Sequence, residues 1–195
     1  MTTPLPILRA FVLAVLVAAG TSFAVPAHAQ VPSANQALLL LRTLAYDRKL
    51  PERADKEVTI AVVYREGNAE SISVQKEITS ALEDAGKKTT VSGRAVRTVK
   101  LAYDPGSFDS AISRIQPNAV YLCAGLGGQV GQIVQITRAK SILTFTGTES
   151  YVDDGASIGF VRRGAKSAIL VDLPSAKAEG ADLDASLLKI AEVRK

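Results

Sequence analysis

Three short segments of this 195-residue chain carry the residue types that hold small polar or anionic molecules. Tyr64-Arg65-Glu66-Gly67 sets a guanidinium beside a carboxylate, and Gly125-Leu126-Gly127-Gly128 offers backbone amides with little side chain in the way. Thr146-Gly147-Thr148-Glu149 adds two hydroxyls and a second carboxylate. Arg65, Glu66, Gly125, Gly127, Gly128, Thr146, Thr148 and Glu149 are therefore the candidate ligand-binding residues. A dinucleotide fingerprint needs a third glycine at the position of Val130, but the glycine comes one place late, at Gly131, so the glycine segment does not fit that motif. No phosphate-loop lysine motif occurs either.

The same search for catalytic chemistry finds little. The single histidine, His28, lies in the N-terminal leader, so a chain that loses the leader has no imidazole for a triad, a proton shuttle or a histidine-bound metal. The single cysteine, Cys123, cannot form an internal disulfide, and its place in the apolar run 119–124 marks it as a small buried residue rather than a reactive thiol. Acidic pairs at Glu83-Asp84 and Asp153-Asp154 point apart if helical and flank glycines, which suits solvated helix ends. Serines and threonines are plentiful, but no base stands near them in a known motif. No catalytic residue, metal site or cofactor is expected.

If the three segments are to line one crevice, each must follow a strand of a parallel sheet at its carboxyl end, where helix N-termini converge. The sequence supplies such strands. Residues 58–64 are a nearly all-apolar, β-branched run, as in a strand covered on both faces, and residues 119–124 and 141–145 read the same way. Residues 91–103 are broken by Gly93 and by charges, predicting an exposed or edge strand centred on 96–101. Between the strands, apolar spacing predicts helices over 37–46, 71–85, 107–115 and 129–139, with a helical turn over 148–152. Residues 157–162 and 166–173, joined by Arg163-Gly164-Ala165, form a hairpin, and helices over 174–180 and 185–193 close the chain. The expected fold is one three-layer α/β domain over residues 30–195. A mostly parallel sheet is covered by helices and followed by a C-terminal antiparallel hairpin and closing helices.

The leader carries an address. Arg9, an apolar run over 10–19, and Ala27 and Ala29 before Gln30 follow the order of a secretory signal peptide, so residues 1–29 are expected to be cleaved and the rest exported. The wider stretch 10–25 is too short to span a bilayer and Gly20-Thr21-Ser22 interrupts it, so no stable membrane insertion is expected after cleavage. The chain has a net charge of +4, one of its cations leaves with the leader, and the others are dispersed, which argues against nucleic acid as a partner. With 47% hydrophobic residues, a domain this long buries roughly two-thirds of its unfolded surface without a staple.

The C-terminal third has a recognisable order: Ile142-Leu143-Thr144, Gly155-Ala156-Ser157-Ile158-Gly159-Phe160, Lys166, Ile169-Leu170-Val171-Asp172-Leu173, Ala176-Lys177-Ala178-Glu179-Gly180, Leu187-Leu188-Lys189-Ile190-Ala191. It resembles the close of the YfiR-like family of periplasmic proteins, and the likeness extends back through the strand at Val58. The resemblance implies a non-enzymatic, periplasmic regulator that dimerises and binds the periplasmic domain of an inner-membrane signalling protein. The best-known members hold a diguanylate cyclase inactive and release it under envelope or redox stress. They use several cysteines in disulfides; with Cys123 alone, a disulfide-based switch is not expected here. The alternative reading of the three loops is a periplasmic small-molecule (solute) binding module.

Overall fold

Strand β1 (Glu57–Tyr64) alternates its side chains between two covered faces. Val58, Ile60 and Val62 point into one apolar layer and Ala61 and Val63 into the other. Each fully buried aliphatic side chain of this kind contributes about 1.5–3 kcal/mol. That two-sided burial is why the run carries no polar alternation. The structure, a computed structural model, describes residues 30–195; the expected signal segment lies outside the described residues.

Around β1 the chain builds a sheet of seven strands in the order β2-β1-β3-β4-β5-β6-β7. β2 (Ala95–Ala102), β3 (Ala119–Leu122), β4 (Leu143–Thr146) and β5 (Ile158–Arg163) continue the parallel part. β6 (Lys166–Asp172) returns antiparallel as the expected hairpin, and β7 (Glu192–Arg194) adds a short edge parallel to β6. One face is covered by α1 (Ser33–Ala45), α3 (Ala69–Gly86), α7 (Leu173–Ala178) and α8 (Ala185–Ile190). The other is covered by α4 (Phe108–Ile115), α5 (Val130–Ala139) and Tyr151 of α6 (Glu149–Asp153). A short helix, α2 (Leu50–Arg53), links α1 to β1.

The three-layer fold with parallel sheet, hairpin and closing helices is the one read from the sequence. Two elements differ. A short helix not expected from the sequence, α2, follows α1, and Pro51 sits in its first turn, where its missing N–H is not needed. The last helix stops at Ile190 instead of running to 193, because residues 192–194 pair with β6 and complete the sheet edge.

Candidate functional site

The parallel strands place the three segments at one end of the sheet, each following a strand: β1, β3 and β4. The connection after β1 leads to β2 on one side and the connection after β3 leads to β4 on the other, so the switch point of the sheet falls between β1 and β3. Ligands of open α/β sheets bind at such a point. Here the chain fills it with its own side chains. Asn68 caps α3, its Oδ1 accepting from the Ser71 amide at 2.8 Å, and it lies so close to Gly125 that a Cβ there would come within 2.8 Å of Oδ1. Gly125 also holds φ +86°, a left-handed conformation that glycine adopts without strain. Beyond it Leu126 is fully buried, and its amide donates to the Tyr151 hydroxyl at 2.8 Å.

The β4 side of the crevice is closed in the same way. Gln36 of α1 lies over Gly147 and accepts from the buried Tyr121 hydroxyl at 2.6 Å, while its amide donates to the Val31 carbonyl at 2.6 Å. A Cβ at position 147 would come 2.5 Å from Gln36 Oε1. Burial pushes the Tyr121 phenol well above its ordinary pKa, so it is a neutral donor. Thr146 is fully buried and turned inward, its hydroxyl donating to the Leu122 carbonyl at 3.1 Å and accepting from the Thr148 amide at 3.0 Å.

Open space remains one step further along the sheet. β5 pairs with β4 only through Ile158 and Gly159, so its residues 160–163 overrun the end of β4 and form a wall. Between that wall, residues 147–150 and the start of the described chain at Gln30 and Val31 lies an open cleft of about 650 Å³. Thr148 and Glu149 line it; Arg65, Glu66, Gly125, Gly127 and Gly128 do not. Arg65, Glu66, Gly127 and Gly128 are exposed beside the filled switch point.

Glu149 is tied down at the rim. The Arg163 guanidinium donates to it in a fork, at 2.9 and 2.7 Å, and also to Glu192 at 2.9 Å. Arg194 reaches Glu149 at 3.7 Å and pairs with Asp153. The Arg163 hydrogen bonds hold the Glu149 carboxyl below the usual carboxylate range, and the two carboxylates in turn raise Arg163. The network ties α6, the hairpin and β7 together across the rim.

A YfiR/HmsC-like family model matches residues 33–192. The chain belongs to the YfiR/HmsC-like family. That family is regulatory rather than catalytic and periplasmic. No match among curated proteins was found. Among solved structures, the family's fold in this chain is similar to an ABC domain from Streptococcus pneumonia in complex with L-Trp (15% identity, TM-score 0.58, covering 83% of this chain and 60% of that one). It is also similar to a conserved domain protein from Vibrio cholerae (17%, TM-score 0.57, 84% and 60%). A third likeness is to a ligand-free, open substrate-binding protein with adhesive properties from Clostridium difficile (16%, TM-score 0.53, 75% and 57%). These likenesses are ones of fold, and the chain spans about 60% of the length of the first two.

Two buried ionic groups of this YfiR/HmsC-like chain escaped sequence reading. Glu179 ends α7 in full burial, where its carboxylate accepts from the Thr137 hydroxyl (2.9 Å), the Thr144 amide (2.8 Å), the Thr144 hydroxyl (2.9 Å) and the Ser157 hydroxyl. Burial pushes its pKa up to about 7 against the pull of those donors. Asp47 is the other. Its side chain is wholly buried, paired with Arg53, and its Oδ1 accepts from the amides of Lys49 (3.1 Å) and Asp182 (2.9 Å). Both look in sequence like solvated charges at helix ends, and only the long-range partners at Thr144, Ser157 and Asp182 reveal them.

Cys123 is buried in the core, and burial raises its thiol far above the range of a reactive thiolate. Among the described residues, no group of three or more His, Cys, Asp or Glu could hold a metal ion, and no helix is long and apolar enough to cross a membrane.

Proposed function

We propose that the exported chain is a non-enzymatic periplasmic regulator that binds the periplasmic domain of an inner-membrane signalling protein, a diguanylate cyclase or a sensor kinase, and modulates it through binding alone. The family match over residues 33–192 carries this reading. The packing at the sheet end supports it: Asn68 lies against Gly125 at the switch point and Gln36 against Gly147 beside it. The test is capture of the mature protein's partners from crosslinked envelope extracts. The expected result is enrichment of a membrane protein with a cyclase or kinase domain. No such enrichment, together with a small molecule that raises the melting temperature, would overturn the reading.

That second outcome defines the alternative, a solute-binding module, which is favoured by the 650 Å³ cleft beside Thr148 and Glu149. The similar structures include a substrate-binding protein and a domain holding L-Trp, and the cleft lies at the sheet end where such folds take ligands. The dimer that the resemblance implies is tested by sedimentation of the mature protein, and a monomer at all concentrations would remove it.

A further inference from the structure

Ala27 and Ala29, the small pair of the expected cleavage site, are followed by Gln30, and the structure sets Gln30 at the mouth of the cleft. The chain is fixed from the next residue onward. Val31 is 2% exposed, its carbonyl accepts from the Gln36 side chain at 2.6 Å, and the Pro32 carbonyl accepts from the Gln36 amide at 3.0 Å. Gln30 itself is exposed. Cleavage after Ala29 would therefore leave a free α-amine on an unhindered glutamine at the edge of an otherwise anchored domain.

We propose that the mature chain carries a pyroglutamate at position 30, formed by cyclisation of the new N-terminal glutamine; the proposal rests on the reading of export with cleavage after Ala29. The α-amine attacks the side-chain amide carbon and closes a five-membered lactam. The bond from that carbon to the amide nitrogen breaks, and the nitrogen leaves as ammonia with a proton given up by the amine. No oxidant, reductant or cofactor enters. The step needs the neutral amine, and an α-amine with an ordinary pKa of about 8 is partly neutral near neutral pH. The step also needs space for the ring, which an exposed residue has. The product replaces an ammonium at the cleft mouth with a neutral lactam and leaves no free N-terminus for an aminopeptidase.

The experiment is to express the full-length chain, recover the mature protein from the periplasm, and measure its intact mass and N-terminal peptide before and after incubation at neutral pH. The expected mass is that of residues 30–195 less one ammonia, with an N-terminus inert to amine reagents, while Gln30→Ser keeps a reactive α-amine and loses no ammonia. A chain that begins at Gln30 and retains its amine after incubation would refute the cyclisation and leave the export reading standing. Any other N-terminus would overturn the cleavage site and the pyroglutamate together.

Discussion

Replacing Glu179 with glutamine keeps the shape of a buried side chain and removes its proton equilibrium. In the folded protein the carboxyl has a pKa of about 7, against an ordinary 4.5 in the unfolded chain. At about 1.4 kcal/mol per pH unit, that gap amounts to about 3 kcal/mol. The folded value is the higher one, so the folded state binds the proton more tightly. The stabilisation is complete below about pH 4.5 and is lost as the pH rises through about 7.

The surrounding hydroxyls can serve either protonation state. When Glu179 is ionised, Thr137 donates to it. When Glu179 is protonated, it donates to Thr137, whose own proton turns to the Val134 carbonyl at 3.1 Å. The amide of glutamine can make the same donation. The only histidine precedes the expected cleavage site, so no imidazole titrates in the mature protein.

Urea unfolding of the mature protein at pH 5 to 8.5 is the assay. The wild type is expected to lose about 3 kcal/mol across that range. Glu179→Gln should match it at pH 5, stay nearly flat, and be the more stable protein at pH 8.5. Parallel profiles for the two proteins, whatever their offset, would refute the raised pKa and the reasoning built on it.

Gly125→Ala should lower stability by about 1–3 kcal/mol, since it adds a Cβ 2.8 Å from Asn68 Oδ1 on a backbone held at φ +86°. Gly128→Ala, with nothing within 4 Å, is the control that urea midpoints should leave nearly unchanged. Asp47→Ala strips the partly buried Arg53 of its counter-charge and the amides of Lys49 and Asp182 of their acceptor, and should cost about 3 kcal/mol in thermal or urea unfolding. Cys123→Ser should leave partner capture and its response to oxidants intact, at about 1 kcal/mol of stability for the buried hydroxyl; loss of the oxidant response would assign the thiol a role that its burial denies.

The fold was legible because its signals are local. The β-branched run of β1, the apolar stretches of β3 and β4, and Gly164 at the hairpin each announce themselves within a few residues. β2 was recognisable as an edge from its charges, and Arg97 and Lys100 do face solvent there. Boundaries were less so. β3 ends at Leu122 rather than at residue 124, and α5 starts one residue late because Gly127–Gln129 forms a 3-10 turn.

The site was legible only as a neighbourhood. Alternation of strands and helices places the three loops at one end of the sheet, but nothing local says that Gln36, from a different element, covers Gly147. Nor does it say that β5 outruns β4 and moves the open space to its own side. Those facts depend on register and on contacts between distant parts of the chain, which a one-dimensional pattern does not encode.

Asp47 also sets a constraint in time. Its carboxylate waits for an amide at residue 182, the Arg48 amide for the carbonyl of the same residue, and the Tyr46 carbonyl for the amide of Asp184. The apolar flank of α1 shares one core with Leu183 and Leu187. A chain that emerges N-terminus first can pack its first helix on α3 and the sheet early, but must leave the C-terminal end of that helix without its partners at residues 182–187 until nearly its last residues arrive. Closing so long a loop adds only modest entropy beyond that of a short one, so the final docking step is set less by its cost than by its order. A nascent chain stalled before residue 182 holds β1 to β6 and still lacks the partners of Tyr46, Asp47 and Arg48.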